Sequence, residues 1–139
     1  MRPPPSSPPT RLDALADDYP LLRLNVLYAS GDFEQADRIV DEIVQIFPGT
    51  ETAAEALFLR SRHRRAREDH EGALWDLLDA ADQGTGEWSL RAAFRAGVHC
   101  QMMEWKDRAQ VVYERLVAKW PLTLTAARAA GGLAYIHRD

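Results

Sequence analysis

The chain has 139 residues, with 17 Lys and Arg against 21 Asp and Glu and a formal net charge of -4. Apolar residues make up 46% and charged residues 27%, which is enough to bury a core and excludes disorder throughout. The single cysteine, Cys100, excludes an intrachain disulfide framework and a Cys-rich zinc site, no apolar run nears the ~20 residues of a membrane span, and the acidic balance excludes a global basic field for nucleic acid.

Residues 1–10 read Met-Arg-Pro-Pro-Pro-Ser-Ser-Pro-Pro-Thr, a composition that predicts a disordered, extended tail. It lacks the apolar stretch of a secretory signal, so a cytoplasmic chain is expected, or a periplasmic one if a signal was removed. Residues 11–139 read as one helical domain. Leu21, Leu22, Leu24, Val26, Leu27 and Tyr28 predict a first short helix, with Pro20 suited to its first turn. Gly31 stops it and Asp32 caps the next. Phe33, Ala36, Ile39, Val40, Ile43, Ile46 and Phe47 recur at three and four spacing, the face of a second helix ended by Pro48-Gly49.

A third helix is predicted from about Thr50 or Thr52 to Arg67, a fourth over 70–82, and a loop at Gln83-Gly84-Thr85-Gly86. A fifth follows over 88–103, a sixth over 106–119 ended by Trp120-Pro121, and a seventh over 123–137. No proline falls between Pro48 and Pro121 to interrupt them. The fold class is all-α, with short turns that make consecutive helices antiparallel neighbours.

The chain aligns on itself. Gly31-Asp32-Phe33-Glu34-Gln35-Ala36-Asp37 matches Glu68-Asp69-His70-Glu71-Gly72-Ala73-Leu74, and Ala109 follows Ala73 by one further unit of about 36 residues. Pro48 and Pro121 end units, and against the tetratricopeptide repeat, which the pattern resembles, Ser61 and Gly97 match the small residue of the first helix and Tyr113 the bulky residue of the second. The third turn, Met103-Glu104-Trp105-Lys106, reads as one residue longer than the first. This pattern resembles the tetratricopeptide repeat, with three repeats and a closing C-terminal helix over about 17–139. The segment Phe47-Pro48-Gly49-Thr50 before Ala53, Ala54, Ala56 and Leu57 is also similar to longer-period repeats of bacterial envelope-assembly proteins, and carries no site residues over.

The resemblance implies a right-handed α-solenoid whose first helix of each unit lines a concave groove for an extended or helical peptide. In that register the groove residues are Leu21, Asn25, Tyr28, Phe58, Arg62, Arg65, Phe94, Val98, Gln101 and Met102. A family subset grips a C-terminal carboxylate with five polar residues. Asn25, Arg91 and Arg95 fall at three of those places, but Leu21 and Leu59 occupy the other two, so that clamp is not matched.

The basic run Arg60, Arg62, His63, Arg64, Arg65 and Arg67 splits by spacing, with Arg60, Arg64 and Arg67 on one face and Arg62 and Arg65 on another, and it has two readings. One is a site for carboxylate or phosphate groups; the other is a solvated face paired with Glu68, Asp69, Glu71 and Asp76. His63, His70 and His99 lack the convergent spacing of a metal site, and no catalytic motif or cofactor loop is present, so neither an enzyme nor a cofactor is expected. Trp75, Trp88, Trp105 and Trp120 read as packing between repeats, with Trp88 or Trp105 the alternative for an exposed anchor.

The expected function is a non-catalytic module that binds a protein or peptide. The alternative is a structural subunit that self-associates, or docks in a larger assembly such as one of the envelope, through its end helices. Ala and Gly crowd the last helix, where Leu133, Tyr135 and Ile136 supply bulk that one neighbour does not bury. They predict a homodimer or a docked partner there.

Overall fold

The computed structural model describes residues 20–138, of Pro20 the backbone alone; the expected tail, residues 1–10, lies outside them. Among the described residues there are helices and turns and no strand. The helices are α1 (Pro20–Ala29), α2 (Phe33–Ile46), α3 (Glu51–Ala66), α4 (His70–Asp82), α5 (Glu87–Met102), α6 (Lys106–Lys119) and α7 (Leu124–Ile136). None is long and apolar enough to cross a membrane.

Each helix packs on the next, and each odd-numbered helix also packs on the next odd one: α1 on α3, α3 on α5 and α5 on α7. The core therefore runs as one seam through the hairpins. It is built from Leu24, Val40, Leu57, Leu77 and Tyr113 and from alanines that let helices approach.

The turns explain this regularity. Gly31, Glu68 and Glu104 all take positive φ, at 82°, 64° and 60°. After each, the next backbone N–H donates five residues back: Asp32 to Leu27, Asp69 to Arg64 and Trp105 to Cys100. The three αL stops have one geometry, although only the first has the glycine that makes the conformation inexpensive. The third turn is thus the same length as the first, contrary to the sequence reading, since Lys106 starts α6 as Phe33 starts α2 and His70 starts α4.

Capping finishes the elements. The side chains of Asp32, Asp69, Thr50 and Thr123 accept from the N–H three residues on. Gly86 has no side chain to cap α5, and Glu51 of α3 reaches across instead, accepting from Trp88 N at 2.9 Å. Its carboxylate at a helix N-terminus is also favoured by the helix dipole.

Candidate functional site

The basic run on α3 divides as its spacing requires. Arg60 points inward and is buried. Its Nε donates to both oxygens of Asp76 at 3.1 Å, its Nη2 to Asp76 at 2.9 Å and its Nη1 to Asp41 at 2.8 Å. Arg64 adds a 3.0 Å bond to Asp76, itself only 1% exposed. Burial alone would lower the Arg60 pKa; the hydrogen bonds and charges of Asp76 and Asp41 outweigh it and hold the guanidinium ionised. Arg67 pairs with Asp37 at 3.4 Å and lies over the Phe33 ring. The expected solvated face is therefore in part an internal ionic seam. Its partners come from α2 as well as α4, and Asp37 and Asp41 were not foreseen because they lie more than 18 residues away in sequence.

The other arginines behave differently. Among the described residues, Arg62 and Arg65 on α3 and Arg95 on α5 have no carboxylate within ion-pair distance. Arg62 is exposed, and Arg65 and Arg95 are half-buried. Partial burial, followed by the charges of Arg65 and Arg62, lowers the Arg95 pKa, so three like charges stand close together on adjoining odd helices. Beside them Phe58 meets Trp88 edge-on at 5.4 Å, and the Arg91 guanidinium lies over Trp88. Phe94 and Val98 are half-buried and Met102 is exposed on α5.

Two expected groove residues are already engaged within the fold. Tyr28 is buried: its ring stacks on His63 at 3.9 Å, and its hydroxyl donates to Asp37. Burial, then the hydrogen bond and charge of Asp37, raises its pKa strongly. Gln101 is engaged in accepting the Tyr113 hydroxyl. Leu21 packs against the core, while Asn25 is exposed.

At the far end, Leu133 and Ile136 turn inward onto the core and are half-buried, so of the three residues expected at an interface only Tyr135 is open. Register explains Ile136. It holds the place on α7 that His63 holds on α3 and His99 on α5, and both histidines pack on the preceding hairpin. The exposed tryptophan is Trp75, at 62%, rather than Trp88 or Trp105. It opens on an apolar cleft of about 400 Å³ between α4 and α6, lined with Leu74, Leu78 and Val111. The signal available in sequence was its i, i+4 spacing from Glu71 and Asp79, on the polar side of α4.

Cys100 is buried, and burial pushes its thiol up to about 11, which makes it a poor nucleophile. Trp120 is buried, with its indole N–H donating to Thr85 O at 2.8 Å. Among the described residues no group of three or more His, Cys, Asp or Glu is placed to hold a metal ion. Compared with protein-family models, with curated proteins and with solved structures, the chain matches none.

Proposed function

We propose that this chain is a non-catalytic, tetratricopeptide-like binding module whose odd-helix face holds an extended, acidic protein segment. One observation carries the reading: on a helix whose other arginines are paired, Arg62 and Arg65, with Arg95 beside them, keep their donors open. A guanidinium offers a fork of donors to a carboxylate, and three crowded cations gain most from an incoming anion. Phe58 and Trp88 adjoin them with aromatic surface, and aromatic and Arg anchors are the residue types that carry binding energy in protein interfaces. The setting we propose is the cytoplasm, where a single buried thiol is ordinary.

The test replaces Phe58, Arg62 and Arg65 together by Ala. A partner identified by pull-down should lose at least about tenfold in affinity, with the far-UV circular dichroism unchanged. An affinity equal to that of the wild type rejects the assignment of the face.

A further inference from the structure

The space between neighbouring even helices is filled in one half of the fold and open in the other. Between α2 and α4 the guanidinium of Arg60 rises from α3 and bridges Asp41 and Asp76. Between α4 and α6 the corresponding residues are Ala96, Leu78 and Val112, which carry no charge. These two helices pack on α5 and not on each other, and the apolar cleft of about 400 Å³ remains between them. Trp75 and Val111 stand open beside it, at 62% and 47%.

Charge on α6 indicates what fits. Asp107, Arg108, Glu114 and Arg115 are exposed and lie within about 60° of Val111 around the helix axis, in a stripe about 12 Å long. Turned end over end about Val111, the stripe sets Asp107 opposite Arg115 and Arg108 opposite Glu114, so every facing pair has opposite charge. Set parallel to itself, it faces each charge with its like. Asp107 and Arg115 have no oppositely charged partner within ion-pair distance among the described residues. Arg108 holds Glu71 at 2.9 Å, and Glu114 accepts from the Gln110 amide. The equivalent stripes of α2 and α4 lack this pattern: end over end, Glu34 would face Glu42 and Glu71 would face Asp79.

We propose that two copies of this chain pair through α6, antiparallel about a two-fold axis at Val111, with Asp107 of each copy against Arg115 of the other. Such a contact joins one patch to itself and closes at the dimer. Val111 sits at its centre, where the two stripes cross, and Trp75 with the cleft beside it adjoins the axis, so pairing covers the large apolar groups exposed on this side. Opposite charges on the rim set the register, while the apolar centre gives the burial. The contact uses the even-helix layer. The odd-helix faces of both copies therefore stay open, and the pairing does not depend on what those faces bind.

The experiment is sedimentation of the full chain over the micromolar-to-millimolar range, with the variants Asp107→Arg and Arg115→Asp, both at exposed positions. The wild type is expected to pass from monomer to dimer as concentration rises. Each variant alone sets like charges opposite each other twice, and should self-associate at least about tenfold more weakly. Mixed in equal amounts, the two variants should form a heterodimer about as strong as the wild-type dimer, because every facing pair is again of opposite charge. Should Asp107→Arg lose helicity, since it removes the acid from the first turn of α6, Val111→Glu carries the test: it sets two carboxylates on the axis, and should also weaken pairing at least about tenfold. A wild type that stays monomeric overturns the proposal and leaves the stripe to another protein. So do single variants, Val111→Glu included, that associate like the wild type, and a mixture no stronger than its components, which rejects the antiparallel register.

Discussion

Two hairpins of this molecule, α3–α4 and α5–α6, share turn geometry and register, yet they fill the space between their helices with opposite chemistry. In the first, Arg60 and Asp76 meet across the seam as a buried ion pair. In the second, the corresponding residues are Ala96 and Val112, both buried and apolar. One residue on, the second hairpin sets Gly97 against the Tyr113 ring, where the corresponding residues of the first are Ser61 and Leu77, both buried. The frame therefore requires a volume at each place and tolerates either way of filling it. The two solutions differ in what happens when half is removed. An ion pair that loses one member leaves an uncompensated charge, whereas a ring packed on a glycine has no room for an added methyl group.

The largest effect is expected from Asp76→Val. It leaves Arg60 buried with the exposed Asp41 as its one remaining carboxylate among the described residues, and should cost about 3–5 kcal/mol in urea unfolding. Adding Arg60→Ala reproduces the α5–α6 pair at those two places. The double variant should be more stable than the single one, because the buried charge has gone. A double variant less stable than Asp76→Val would mean that the two hairpins do not share the register assigned to them.

Next comes Gly97→Ala. A Cβ there would overlap the Tyr113 ring, and on the other side a Cβ at Gly132 would stand 2.7 Å from Tyr113 Cε2. The ring is held between two glycines and cannot retreat from one without meeting the other helix. The loss should be about 1–3 kcal/mol, despite the better helix propensity of Ala. Tyr113→Leu, the residue type of the first hairpin, should recover part of it. Strictly additive losses in the double-mutant cycle would count against the contact.

The smallest effect is a pH dependence that both hairpins share. His63 and His99 have lowered pKa values, first through burial and then through nearby arginines for His63; for His99 a hydrogen bond to His70 O opposes the lowering. Their folded pKa lies below the unfolded value of about 6.5, so the unfolded chain takes up protons first. The stability they contribute is complete above about pH 6.5 and is lost as pH falls through the folded pKa. At the alkaline end, burial pushes Cys100 up to about 11 and Tyr113 up to about 12. Their contribution is present below the unfolded values and is lost as pH rises through the folded ones. Unfolding midpoints measured from pH 5 to 8 should fall at the acid end, and His63→Gln should flatten part of that slope. An unchanged slope would show that His63 is not the group responsible.

Helix existence, order and spacing were legible in the sequence because they follow from local rules. Apolar residues at three and four spacing, Asp or Thr before α2, α3, α4 and α7, and a stop every 36 or 37 residues act within a few neighbours. The sequence also separated Arg60, Arg64 and Arg67 from Arg62 and Arg65, since helical geometry alone puts them on different faces. The tertiary structure decided which of those faces meets carboxylate. Asp37 and Asp41 reach α3 only once α2 folds back on it. It also buried Tyr28, which local register placed in a groove, because the phenol gains a stacked His63 and a carboxylate acceptor from two other helices. For the same reason it turned Leu133 and Ile136 inward and left Ala130 and Ala134 open: composition says that a helix can be packed closely, but only the arrangement of its neighbours says which side has none.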